Sequence, residues 1–220
     1  MGRKDLQAVL IGATGLVGSQ LLAQLLEDAR FASVVVLGRR TVGRTHPKLR
    51  EHLVDFEHPS AWAKHVAGDV LFSALGTTLK VAGSQAAQYA VDHAYQLETA
   101  AAAARNGVST YVLVSSAGAN PGARIFYSRM KGELERDVAT LGFTRLHLLR
   151  PGPLSGERKE HRRGEQLSLR VLRPLSALLP ATLRPIPATT VARAALRVAL
   201  DQTPGLHRHE AAELFLLGGS

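Results

Sequence analysis

The stretch LQAVLIGATGLVGS, Leu6 to Ser19, decides the fold. A short apolar run, Leu6 to Ile11, meets glycines at Gly12, Gly15 and Gly18. A leucine-rich helical pattern follows, with Val17, Leu21 and Leu25 on one face. That order spells a strand turning into a helix through a loop from which side chains are excluded. Gly12 permits the tight turn, Gly15 the close approach of a pyrophosphate, and Gly18 the packing of helix on strand. The helix start directs free N–H groups and the positive end of its dipole at the same spot. The spacing therefore predicts a site for a dinucleotide phosphate. Taken alone, a glycine triplet also describes a tight turn with no ligand. A second strand-like run, Val34 to Leu37, completes a βαβ unit and favours the phosphate site.

Outward from this unit, strand-like runs recur at His52–Phe56, Val70–Leu75, Tyr111–Ser115 and Thr144–Leu149. Helical patterns lie at Leu16–Ala29, near Ser60–Val66, at Ala86–Arg105 with an interruption near Asp92, at Phe126–Leu141 and at Thr189–Asp201. Near-continuous Val/Leu runs, rather than strict alternation, mark strands buried on both faces of a parallel sheet. Alternating βα units over most of the chain predict an α/β fold with a doubly wound parallel sheet. After Pro151 the pattern loosens: prolines at 153, 174, 180, 185 and 187 break up a stretch carrying the charged run GERKEHRRGE. Residues 152–187 read as a small irregular cap on the substrate side, beside the strand C-termini, or as a solvated surface loop. The cap is too short for a core of its own, so residues 1–220 are expected to form one domain. A last run, Glu213 to Leu217, reads as a strand at the sheet edge.

The 220 residues are 45% hydrophobic, long enough for a full core, and contain no run of membrane-spanning length. The N-terminus lacks the apolar core of a secretory leader, and there is no cysteine for disulfide or thiolate chemistry. The cytoplasm is the expected location. The formal charge of +9 comes mostly from scattered arginines. One cluster, Arg145 to Arg173, is rich in basic residues, but no zinc-finger spacing, aromatic RNA-binding pattern or basic heptad region accompanies it. An anionic small ligand accounts for it more simply than nucleic acid does. The nine histidines are scattered, and His207-Arg-His209-Glu210 lacks the i, i+4 spacing of a zinc helix, so no metal site is expected. His93 and His147 read as structural.

Cofactor choice turns on the end of the second strand. An NAD site usually carries Asp or Glu there to bind the ribose 2′-hydroxyl. Here Arg39 and Arg40 stand in that place, with Arg44 close by. Arginine cannot accept those hydroxyl protons, but it clamps a 2′-phosphate bidentately. NADP(H) is therefore favoured over NAD(H), the alternative being solvated loop arginines. Asp55-Phe56, ending the third strand, face the same crevice, where Asp55 would accept the adenine amino group or simply close a turn. Ala74, Leu75, Gly76 and Thr77 form a small-residue loop that lets backbone approach the middle of the cofactor.

The sharpest constellation is Ser115, Ser116, Tyr127 and Lys131. Both serines end the fifth strand, and Tyr127 and Lys131 share a helix face four residues apart. Lys131 falls beside the apolar stripe Met130, Leu134, Val138 and Leu141, where a lysine needs a partner. Its ammonium would favour the phenolate of Tyr127, so that the phenol exchanges a proton with a substrate oxygen near neutral pH. Ser115 or Ser116 would hydrogen-bond that oxygen, and a hydride would move between substrate carbon and nicotinamide. A helix-start tyrosine beside a snorkelling lysine is the plainer reading.

GATGLVG, the LGTT segment at Leu75 to Thr78, the block VSSAGANPGARIFYSRMKGELE and LRPGPLSGERKEHRRGE together resemble the short-chain dehydrogenase/reductase superfamily in its atypical branch. The likeness is greatest to the small oxidoreductase-like proteins of the Tat-interacting protein group. It implies a Rossmann-like fold in which Gly12, Thr14, Gly15, Leu16, Val17 and Gly18 bind the pyrophosphate and Arg39 meets the 2′-phosphate. By the same resemblance Ala74, Leu75 and Gly76 line the adenosine and ribose side, Tyr127 and Lys131 hold the nicotinamide ribose, and Pro151-Gly152 border the nicotinamide. The substrate segment is shorter than in larger members, and the sequence places no asparagine to complete a proton relay; Asp92 lies near where one would be sought. The expected function is NADP(H)-dependent oxidation or reduction of a small carbonyl/alcohol substrate. The alternative is a non-catalytic, cofactor-sensing protein that acts through a protein partner.

Overall fold

Residues 5–155 and 184–219 are described by a computed structural model. Strand β1 (Leu6–Ile11) shows why the sheet is buried on both sides. Ala8 and Leu10 point into one apolar cluster, Val9 and Ile11 into the other, and all four are fully buried. Each large side chain so buried stabilises the fold by about 1.5–3 kcal/mol.

In chain order β1 is followed by α1 (Leu16–Glu27), β2 (Phe31–Gly38), β3 (Leu49–Leu53), α2 (Pro59–Trp62) with a 3₁₀ turn (Ala63–His65), and β4 (Val70–Ser73). Next come α3 (Leu79–Ala82), α4 (Gln85–Tyr89), a π turn (Ala90–Ala94), α5 (Tyr95–Arg105), β5 (Thr110–Val114) and α6 (Phe126–Val138). After β6 (Arg145–Arg150) and β7 (Leu154–Ser155), the described chain resumes before β8 (Ile186–Pro187), α7 (Ala188–Val198), β9 (Gly205–Glu210) and α8 (Ala211–Gly218). Seven strands pair in parallel in the order β3-β2-β1-β4-β5-β6-β9. Helices α1, α7 and α8 cover one face, and α5 and α6 the other. The fold is the expected doubly wound, Rossmann-like α/β sheet. Its order reverses between β1 and β4, and the crevice outside their C-terminal ends is the place such sheets reserve for ligands.

Two departures from the sequence reading have physical causes. The third strand is Leu49–Leu53, not His52–Phe56, because its register is set by β2: Val34 pairs with Leu49 and Gly38 with Leu53. As an edge strand it needs no apolar run, and the apolar residues that follow pack elsewhere. The expected strand at Glu213–Leu217 is instead helix α8, and the edge strand is the polar Gly205–Glu210, held by backbone pairing to β6. The interruption expected near Asp92 is a π turn within the long helix. Of the expected cap, only its two ends are described; they pair as β7 and β8. Residues 156–183, including most of the basic cluster and the GERKEHRRGE run, lie outside the described residues.

Candidate functional site

The glycine loop is built to contact the loop after β4. Gly12 has φ +83°, a left-handed conformation that favours glycine, and a Cβ there would lie 2.4 Å from the carbonyl carbon of Ala74. A Cβ on Gly18 would lie 2.1 Å from the Gly12 oxygen. These two positions are closed by packing. Gly15 is different: it is exposed, its N–H donates to the Gly12 carbonyl at 2.9 Å, and it caps α1 without offering a side-chain acceptor to the first-turn amides. Thr14 is also exposed and Leu16 half-buried, whereas Val17 is a core residue. Of the predicted pyrophosphate residues, Val17 and Gly18 can therefore act only through their backbone. A bare helix start behind a glycine loop fits an anionic phosphate group, so the residues present suit a dinucleotide.

Arg39 and Arg40 follow β2 directly and are exposed. Beyond them Glu51 holds the next loop: Thr41 Oγ1 donates to its Oε2 at 2.8 Å, and the Val42 N–H to its Oε1 at 2.6 Å. Val42, Gly43 and Arg44 line a hollow of about 200 Å³ with Ala13, Ser19 and Leu22 of the adjoining loop and helix. Arg44 thus supplies a further cation beside the glycine loop.

The structure treats Asp55 and Phe56 differently from the other predicted contacts. The exposed Asp55 carboxylate accepts the Glu57 N–H at 3.0 Å and contacts His58 Nδ1 at 3.0 Å, so it closes its own turn. Those bonds, the backbone one first, hold its carboxyl below the usual aspartate range. Phe56 is buried, stacked on Tyr95 at 5.5 Å and edge-on to Trp62 at 5.7 Å. Its ring is part of the core and not of the crevice wall.

At the other end of the crevice the predicted catalytic residues separate into two sets. Ser115 is buried and its Oγ donates to Glu135 Oε1 at 2.5 Å. Glu135 in turn pairs with Arg150, which also reaches Glu210 at 2.9 Å. Hydrogen bonding to Glu135 is the largest of the effects that raise the Arg150 guanidinium above its ordinary value. Ser116 is only half-buried, and its Oγ makes one long contact, 3.3 Å to the Ala117 carbonyl. The Ala117 N–H donates to the Pro151 carbonyl at 2.8 Å, which brings Pro151-Gly152 alongside the serines.

Tyr127 lies in the first turn of α6, 38% exposed, and its hydroxyl has no partner among the described residues. One turn on, Lys131 is buried. The loop before this helix lies tightly over it, since a Cβ on Gly132 would fall 2.2 Å from the Asn120 carbonyl carbon. Leu75 is half-buried and Gly76 exposed, while the Thr77 N–H donates to Asp92 Oδ2 at 2.8 Å. Sequence reasoning missed Glu135, Arg150 and Gly132. Glu135 and Arg150 carry one faint signal, a charged side chain on an otherwise apolar face or strand.

Among the described residues the histidines do not converge on a point. His147 stacks on His207 and His209 with ring centroids 5.0 and 5.4 Å away, and its Nδ1 lies 3.1 Å from His209 Nε2. Burial, followed by the neighbouring imidazoles, pushes its pKa down to about 4, so it is neutral. It is structural, as read from the sequence.

A family model described as NAD(P)H-binding matches residues 12–163. The protein fmp52, mitochondrial, of Aspergillus fumigatus is 38% identical over 221 residues, 96% of this chain and 94% of the relative. FMP52, mitochondrial, of Saccharomyces cerevisiae is 41% identical over 157 residues, 70% of this chain and 68% of the relative. Among solved structures, MoeE5 in complex with UDP-glucuronic acid and NAD superposes with a TM-score of 0.72 at 20% identity, covering 93% of this chain and 76% of that one. A short-chain type dehydrogenase/reductase from Mycobacterium ulcerans gives 0.69 at 15% identity, covering 98% and 92%. These structural likenesses show the fold. The relatives' names overturn the cytoplasmic expectation. That expectation rested on the lack of an apolar leader, which bears on secretion and not on entry into mitochondria. With its glycine loop, its doubly wound sheet and these relatives, the chain belongs to the NAD(P)H-binding, Rossmann-like family of atypical short-chain dehydrogenase/reductase type.

Proposed function

We propose that this protein is an NADP(H)-dependent oxidoreductase acting on a small carbonyl/alcohol substrate. The observation that carries the reading is the pairing of two features across one crevice: a glycine-closed loop at a helix start, and a buried lysine one helical turn from an exposed tyrosine that has no partner among the described residues. When bound, the nicotinamide supplies or takes up the hydride. The chain's own residues do the rest. Tyr127 holds the proton that passes to or from the substrate oxygen, and the Lys131 ammonium donates to sugar hydroxyls. Ser116 is the serine whose hydroxyl is available to that oxygen, because Ser115 is committed to Glu135. Gly12, Thr14, Gly15 and the α1 amides receive the pyrophosphate, and Arg39 and Arg40 are placed for the 2′-phosphate. Asp55 and Phe56 drop out as side-chain contacts in this reading.

Two measurements test it. NADPH should bind at least about tenfold more tightly than NADH, and Arg39→Ala should remove most of that preference. Equal affinities that survive Arg39→Ala would refute the phosphate selectivity. On a panel of aldehydes and ketones, Tyr127→Phe should abolish turnover while NADPH still binds. Unchanged turnover rejects its role as proton donor.

A further inference from the structure

A buried carboxylate completes the lysine's surroundings. Lys131 is 2% exposed and its Nζ lies 3.2 Å from Asp92 Oδ1; Asp92 itself is 1% exposed. The two residues come from different helices, and the π turn at Ala90–Ala94 contains the aspartate. Such a turn adds a residue to the helical register and so changes which side chains face inward. The second carboxylate oxygen accepts the Thr77 N–H at 2.8 Å. A Cβ on Gly76 would stand 3.2 Å from Oδ1, so the loop after β4 passes directly over the acid. The Asp92 carbonyl accepts from Gln96 Nε2 at 2.7 Å, and Gln96 Oε1 accepts from the Ser73 hydroxyl at 2.6 Å. One residue thus ties together α6 and the loop Ala74–Thr77 through its side chain and, by way of Gln96, the end of β4 through its carbonyl.

We propose that Asp92 is a positioning residue for this site, holding Lys131 toward the nicotinamide ribose while it anchors the loop on the adenosine side. The inference rests on the cofactor reading above. Its physical basis is that a buried ammonium takes the direction of its counter-ion, because leaving it unpaired is costly. Without the carboxylate, the flexible four-carbon stem of Lys131 has no fixed end. The carboxylate also partly neutralises the lysine, so Lys131 enters the site as half of an ion pair.

Asp92→Asn keeps an acceptor for the Thr77 N–H but removes the charge that directs Lys131. Binding of NADPH and of adenosine 2′,5′-bisphosphate, which lacks the nicotinamide half, is compared by calorimetry. The expected result is NADPH affinity about tenfold weaker with adenosine 2′,5′-bisphosphate affinity within about twofold of wild type. A general structural role predicts equal losses for both ligands, and that outcome overturns the proposal. If Asp92→Asn does not fold, Asp92→Glu, which keeps the charge but displaces the carboxylate that directs Lys131, carries the same comparison.

A second readout needs no cofactor. The chain has only six lysines, so acetylation of Lys131 by acetic anhydride can be followed peptide by peptide. Asp92→Asn should raise the Lys131 labelling rate about fivefold or more, since the lysine's flexible stem, released from its counter-ion, can swing the amine out to the reagent. Unchanged labelling overturns the inference alone. Failure of the wild type to bind either nucleotide overturns the cofactor reading, and with it Asp92's role in cofactor binding.

Discussion

Glu135→Ala is the perturbation whose consequence can be worked furthest. The Glu135 carboxylate accepts from Ser115 Oγ at 2.5 Å, and from Arg150 Nε at 3.1 and 3.2 Å and Nη2 at 2.5 Å. Removing it leaves Ser115 without its acceptor and Arg150 with Glu210, a partner 52% exposed, at 2.9 Å. Breaking a buried pair by deleting one member costs about 3–5 kcal/mol. Arg150 keeps some access to water, its side chain being 19% exposed, so about 2–3 kcal/mol is the fairer share. The orphaned hydroxyl adds about 1 kcal/mol. The total, about 3–4 kcal/mol, corresponds to a fall in Tm of roughly 6–16 °C for a chain of this length. Urea unfolding followed by circular dichroism measures the free energy directly. Glu135→Leu/Arg150→Met should recover most of the loss, because well-packed apolar residues replace a buried pair at little cost. A loss below about 1 kcal/mol for Glu135→Ala, or a double variant as unstable as the summed single variants, would refute the account of this network.

Two further outcomes follow from the same structure. Gly18→Ala puts a Cβ 2.1 Å from the Gly12 oxygen, so it should lower stability by about 1–3 kcal/mol and weaken NADPH binding together; retained affinity would show that the loop is not the phosphate site. His147 has a pKa pushed down to about 4 in the folded protein, against about 6.5 unfolded, so its contribution is full above pH 6.5 and is lost as pH falls toward 4. Between pH 7 and 5 wild type should lose about 2 kcal/mol more than His147→Leu, and parallel pH curves for the two proteins would exclude that assignment.

The first loop was legible in the sequence because its constraint is local. Gly12 and Gly18 are required by backbone contacts within the turn and across to Ala74, and no other residue type meets them. The buried strands were legible for a related reason: runs such as AVLI and VVVL suit only strands covered on both faces. Leu49–Leu53 and Gly205–Glu210 were misplaced because an edge strand is held by backbone bonds on one side. Its side chains, here as polar as His207 and Arg208, carry no such signature.

The alternation of strand and helix, the phosphate loop and the Tyr127–Lys131 face follow from residue types and spacing, since periodicity and backbone sterics act over a few residues. Which serine is committed, what Lys131 leans on, and whether Phe56 lines the crevice or fills the core depend on partners far apart in the chain: Glu135, Asp92 and Tyr95. Such pairings exist only after helices from opposite ends of a crossover pack on one sheet, because burial then forces each polar group to find whatever partner the packing has brought within reach.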